Sequence, residues 1–170
     1  MNTGFLICSG RSLTLILILF YHMFKKISGF LENNKDFGIL IMRLAVGCAF
    51  VFVYGLMKIQ GGTGSWSKLG GSMSNVGINF APEFWGFIAS VSEFGGGILI
   101  ILGLFTRTSA FFLAMTMMMA AIQHFVKLDP WNKAIITVEL FSVFIALLFI
   151  GPGKYSLDFL LFKKNKSVKT

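Results

Sequence analysis

Four stretches of 17 to 22 residues, each carrying at most one formal charge, constrain this chain more than any other feature. They cover residues 37–57, 84–105, 109–126 and 134–150. A bilayer core is crossed by about 20 apolar residues in helical conformation, because lipid offers no partner to an unpaired peptide group. All three prolines, Pro82, Pro130 and Pro152, fall just outside these stretches, where they end helices without breaking them. The predicted fold is therefore an all-α, integral membrane four-helix bundle. With 55% hydrophobic residues, 13% charged residues and a mean hydropathy of +0.78, a disordered chain and an ordinary soluble domain are both excluded.

The formal net charge of +8 would suggest nucleic-acid binding on a soluble protein. Here its distribution reads as topology, and no nucleic-acid partner is expected. Arg11, Lys25, Lys26 and Lys35 precede the first span, Arg107 lies in the turn between the second and third, and Lys154, Lys163, Lys164, Lys166 and Lys169 follow the fourth. Those ten share one side of the membrane. Lys58, Lys68, Lys127 and Lys133, four in number, lie on the other. The positive-inside rule then places both termini in the cytoplasm.

The expected organisation is an N-terminal arm over 1–35, a membrane domain over 36–158 and a basic cytoplasmic tail over 159–170. Residues 13–24 are strongly apolar, but they are too few to span and are followed by Lys25 and Lys26 rather than by a signal-peptide cleavage site. Three readings are open: an interfacial helix, a fifth helix frayed at the surface, or a translation start at Met23. The connection from Lys58 to Glu83 is glycine-rich, yet Trp66, Leu69, Met73 and Val76 recur at helical spacing. A short helix on the outer interface and a flexible loop with one tryptophan at headgroup level both fit.

Ionisable side chains inside a span are costly and persist mainly where they find partners. Arg43, Glu93 and Glu139 lie within spans, with Tyr54, Lys58, Gln123 and His124 near span ends. One reading makes them structural fasteners, Arg43 pairing with Glu93 and Glu139 with Lys58 or His124. The other makes Arg43, Tyr54, Lys58, Glu93, His124 and Glu139 a polar pocket opening toward the outer face, able to receive a quinone headgroup or pass protons. Cys8 and Cys48 support neither a disulfide scaffold nor a cysteine zinc site, and no pair of histidines inside the spans is available for haem. Met115, Met117, Met118 and Met119 point to different helix faces and read as packing and lipid contact, not as a copper stripe. No metal site is predicted. Gly95, Gly96, Gly97 and Gly103, with Ser92, read as points of close helix approach. A nucleotide-binding glycine loop, a Cys-x-x-Cys pair and a metalloprotease motif are all missing, so self-contained redox or hydrolytic chemistry is unsupported.

The order of the polar and glycine elements over Asp36 to Asp158 resembles the DoxX family of small bacterial and archaeal membrane proteins. The matching elements are Arg43, Gly47, Gly55 and Lys58; Glu93, Gly96 and Gly97; Gly103-Leu104-Phe105-Thr106-Arg107; His124; Glu139; and Gly151-Pro152-Gly153-Lys154-Tyr155-Ser156-Leu157-Asp158. The resemblance implies a multi-pass protein of the bacterial inner membrane, associated with quinol oxidation, thiosulfate:quinone oxidoreduction or oxidative-stress complexes. It implies a membrane subunit with a redox enzyme as partner, and a quinone as candidate ligand, more than it implies any one reaction. Arg107, Lys154, Tyr155 and Asp158 read as residues that anchor helix ends at the inner interface. A noncatalytic scaffold or assembly factor is the alternative, and a small transporter or channel a third.

Overall fold

A computed structural model describes the backbone of residues 4–161 and the side chains from residue 18 onward. The lysines of the basic tail beyond 161 lie outside the described residues, as does the side chain of Arg11. Two units are distinguished, Met1–Gly38 and Ile39–Thr170. In the first, α1 (Gly4–Asn33) is a single 30-residue helix. The apolar segment 13–24 is thus the middle of a longer helix, which continues through Lys25 and Lys26 because no proline follows to stop it. It ends where the Asn34 side-chain amide donates to the Phe30 carbonyl, 2.8 Å away.

The first membrane-spanning segment runs over Lys35–Gln60. It consists of α2 (Lys35–Cys48), a π-helical stretch (Ala49–Gly55) and α3 (Leu56–Gln60). The wider π turn keeps Arg43, Gly47, Phe50, Val51 and Gly55 on one buried face. Next come α4 (Gly62–Gly70) and a 3-10 segment (Gly71–Val76), so the glycine-rich connection is helical. The remaining spans are α5 (Pro82–Leu102), α6 (Thr106–Val126) and α7 (Trp131–Ile150). Four segments are long and apolar enough to cross a membrane, and no strand occurs among the described residues. The helices exceed the apolar stretches at their N-terminal ends, where Pro82 and Trp131 begin them.

Packing in the second unit rests on close backbone approach. A side chain at Gly97 would meet Val51, Phe50 and the Gly47 carbonyl, and one at Gly55 would collide with the backbone of Phe94. Lipid supplies no hydrophobic drive between helices, so contact of this kind holds them. Gly96 faces Leu113 of α6, whereas Gly95 faces open space and has no packing role. Phe50, Ile100, Leu113, Met117, Phe144 and Leu147 form the central core. Tyr54 packs against this core, its ring 5.1 Å from Phe50.

The end of the bundle that holds the α5–α6 turn is locked by residues far apart in sequence. Gly103 ends α5 at φ +67°, and a side chain there would strike the Arg43 guanidinium. Phe105 is also left-handed, at φ 47°, a costly conformation for a non-glycine residue. Asp158 holds it in place: its carboxylate accepts from the Phe105 and Thr106 amides at 2.8 and 2.9 Å, capping the N-terminus of α6. The Asp158 amide in turn donates to the Gly103 carbonyl at 2.9 Å. Asp158 is therefore a buried cap rather than a headgroup-level anchor. Replacing it with alanine should lower stability in detergent by about 1–2 kcal/mol, with asparagine recovering part of the loss. Unfolding titrations of both variants check this.

Candidate functional site

The polar residues of the spans separate into three places, because helix register and not span membership decides which of them meet. Arg43, 1% exposed, sits at the level of the α5 C-terminus, since Gly47 one turn on lies against Gly97 and Ile101. Its Nε and Nη2 donate to the Ile100 and Ile101 carbonyls at 2.9 and 3.0 Å. Its Nη1 donates to the Pro152 and Tyr155 carbonyls at 2.8 and 3.0 Å. Eight residues of helix, about 12 Å, separate Ile101 from Glu93, so the expected Arg43–Glu93 pair does not form. Gly55 lies against Phe94, which brings Lys58, one turn further, beside Glu93 instead. Lys58 Nζ bonds both Glu93 carboxylate oxygens, at 2.6 and 2.5 Å.

Glu93 is 2% exposed and lies about 16 Å along α5 from Pro82, deep within the span. The pair forms the floor of a hollow of about 740 Å³. One wall is the face of α5 defined by Trp85, Ala89 and Glu93, which are spaced four residues apart; the other is α6 from Phe111 to Gln123 and His124. Leu69, Met73 and Val76 roof it, with Ile78 beside them.

The roof is held by backbone contact. A side chain at Gly70 would run into the Pro82 carbonyl, and one at Gly86 into the Trp66 carbonyl, so α4 lies directly on the start of α5. Trp66 fastens it further, donating from Nε1 to the Lys58 carbonyl at 3.0 Å while its ring packs on Phe87. At the mouth, the Asn75 amide donates to Gln123, joining the 3-10 segment to α6. His124 Nδ1 lies 2.8 Å from Asp129 Oδ2. That hydrogen bond, with the Lys133 and Lys127 charges adding to it, holds the Asp129 carboxyl below the usual aspartate range. Lys68 and Lys127 stand at the rim.

Of the sequence-predicted pocket, Lys58, Glu93 and His124 share this hollow, while Arg43, Tyr54 and Glu139 are not among its lining residues. Glu139 pairs with neither Lys58 nor His124, because it faces outward from α7 and both of those residues are engaged elsewhere. The sequence reading did not single out Trp85, and it gave Met73 and the α6 methionines no part in the pocket. Met115, Met118 and Met119 line the hollow and Met117 enters the core, so only part of that run is lipid contact and packing. Trp85 Nε1 is a buried donor with no acceptor among the described residues. Its four-residue spacing through Ala89 to Glu93 was the signal available in the sequence. Among the described residues no three histidine, cysteine or acidic side chains come together as a metal site.

Arg107, Lys154 and Tyr155 lie at the opposite end of the bundle. Arg107 is exposed and borders a second hollow of about 400 Å³ with Phe105, Thr108, Pro152, Asp158 and Phe159. Lys154 and Tyr155 are exposed, and the Tyr155 carbonyl is one of the four that Arg43 holds. The turn motif at 103–107 and the closing motif at 151–158 are thus two halves of one structure, joined through Arg43 and Asp158.

Comparison with known proteins identifies the family. The DoxX family model matches residues 38–126. The chain is 32% identical over 137 residues to "Inner membrane protein YqjF" of Escherichia coli (strain K12), covering 79% of this chain and 99% of that protein. It is also 32% identical over 136 residues to "Putative oxidoreductase CatD" of Bacillus subtilis (strain 168), covering 79% of this chain and 96% of that protein. No solved structure matches the chain significantly. With four membrane-spanning helices and these relatives, the chain belongs to the DoxX family and is a multi-pass protein of the bacterial inner membrane.

Proposed function

We propose that this protein is the membrane component of a quinone-linked redox system, and that the hollow between the α4 roof and α5–α6 receives the quinone headgroup. The observation that carries the reading is an apolar chamber of about 740 Å³ with one ion pair, Lys58–Glu93, on its floor. Sites for small amphipathic ligands have this size and makeup, apolar walls with a few convergent polar groups. The relative named as an oxidoreductase supports the redox assignment. The uneven distribution of basic residues along the sequence supports an orientation with the mouth toward the outer face and both termini cytoplasmic.

The residues present suit a ring bearing two carbonyls. Trp85 Nε1 is a buried donor with no acceptor among the described residues, on a side chain that lines the α5 wall, and Lys58 Nζ is a second donor on the floor. Reduction of a quinone takes up two protons with its two electrons, the electrons coming from a redox partner. Glu93, bonded to Lys58 at the bottom of the chamber, is placed to exchange a proton with a bound carbonyl oxygen. His124 and Asp129 at the mouth are placed to exchange one with water. The methionines and phenylalanines of α6 adapt to an isoprenoid tail.

Photolabelling tests the assignment. An azido-quinone irradiated with the purified protein in liposomes should attach to α6 between Phe111 and Gln123 and to α5 near Trp85, and unlabelled quinone should suppress the adduct. Labelling confined to outward-facing residues such as Phe149 and Ile150 would refute it.

A further inference from the structure

Among the described residues, Glu139 is the only acidic or basic side chain that is exposed well inside a spanning helix. It lies about 12 Å along α7 from Trp131 and about 16 Å from Ile150. Span α7 is also the least covered of the four, with 17% of its apolar window buried against 28% to 33% for the others. On the outward surface of α7, Ile136 lies one turn before Glu139 and is 47% exposed, and Phe149, 77% exposed, lies about 15 Å further along the helix. Ser142 and Ala146 follow at three and seven residues, on the same stripe. The Ser142 hydroxyl is spent on the Val138 carbonyl, 2.9 Å away, and offers the carboxylate nothing. A carboxylate facing hydrocarbon without a partner is expensive, whereas one facing protein marks a contact.

We infer that this face of α7 seats a transmembrane helix of another protein that carries a lysine or arginine at the depth of Glu139. Charge complementarity selects the occupant. Among the described residues of the four spans, a second copy of this chain has no uncommitted cation to offer at that depth, because Arg43 is committed to four carbonyls and Lys58 to Glu93. It would instead place a second carboxylate against the first. Lipid amines remain at the headgroup level, a dozen ångströms away. Ser142 and Ala146 let a neighbouring backbone approach closely, which shortens the path between the two charges. The surface is separate from the hollow on α5 and α6, so the inference stands whether or not that hollow takes a quinone.

A photo-crosslinking residue introduced at Ala146, irradiated in native cell membranes, tests this in an otherwise unchanged chain and again with Glu139→Leu. The expected result is an adduct whose crosslinked peptide, identified by mass spectrometry, is a membrane span of another protein with a lysine or arginine about two turns, roughly 10 Å, from the crosslink, at the depth of Glu139. Its yield should fall about tenfold or more with Glu139→Leu, the factor that about 1.4 kcal/mol produces. Glu139→Lys should abolish it, and exchanging the partner's cation for glutamate should restore it. Because Glu139 faces outward, its leucine variant should keep the parent's unfolding midpoint, which separates lost contact from lost fold. Crosslinks only to a second copy, only to lipid or to a span without a basic residue would overturn the inference. So would a missing adduct, or a yield indifferent to Glu139→Leu.

Discussion

Replacing Arg43 with methionine should lower the unfolding free energy by about 3–5 kcal/mol, a large part of the 5–15 kcal/mol available to a typical protein. The guanidinium, 1% exposed, is the shared donor for the carbonyls of Ile100, Ile101, Pro152 and Tyr155. Two of these belong to the last turn of α5, where the Ile100 carbonyl also accepts from the Gly103 amide, and two belong to the segment after α7. Methionine fills similar space but takes the charged donor from all four carbonyls; a bond to a charged group contributes about 1.5–3 kcal/mol, and bonds that share one donor do not add, so the loss stays below their sum. Lysine should recover less than half of the loss, since a single ammonium cannot reproduce a planar fork reaching two separate segments. Arg107→Met, at an exposed position, should change stability by no more than about 0.5 kcal/mol. Denaturant titration in detergent micelles, followed by tryptophan fluorescence, compares the three. Equal stability of the Arg43 and Arg107 variants would show that the lock at this end of the bundle is dispensable.

The second large effect is expected at the floor of the hollow, and it should be asymmetric. Lys58→Met leaves Glu93 buried at 2% exposure with no counter-charge, a loss of about 3–5 kcal/mol. Glu93→Met leaves a lysine whose side chain is 26% exposed and whose flexible stem can turn its ammonium toward the mouth, so it should cost markedly less. The double variant Lys58→Met/Glu93→Met removes both charges together. It should return to within about 1 kcal/mol of the parent protein, because a buried pair offsets little more than its own desolvation. The coupling in this cycle, read from the same titrations, measures the pair directly. Additive losses in the two single variants would mean that Lys58 and Glu93 act independently.

The extent to which this structure was legible beforehand follows from what each signal encodes. The spans were readable because a bilayer permits so few solutions, and Pro82 and Gly103 mark the ends of α5 in the sequence itself. The importance of Arg43, Lys58, Glu93 and His124 was readable because charge stands out in an apolar background. Their partners were not. The connection between the first span and α5 is long enough to allow any register, and only the contacts of Gly47 with Gly97 and of Gly55 with Phe94 fix it. A shift of two helical turns would have produced the expected Arg43–Glu93 pair. Trp85 was missed because a tryptophan near a helix start resembles a headgroup-level ring. The methionines of α6 were missed because the helix faces of a run are assigned only by what packs against them. Asp158 was mistaken for an anchor because its targets, the Phe105 and Thr106 amides, are exposed by a left-handed turn that the sequence Leu104-Phe105-Thr106 does not announce.

The double variant also gives the most direct test of the proposed function, because it separates the charges from the fold. With stability restored, quinone binding to the Lys58→Met/Glu93→Met protein in liposomes can be compared with the parent by titration calorimetry. The account predicts binding by the parent and a loss of about tenfold or more in the variant, about 1.4 kcal/mol or above. Equal affinity in two equally folded proteins would contradict it.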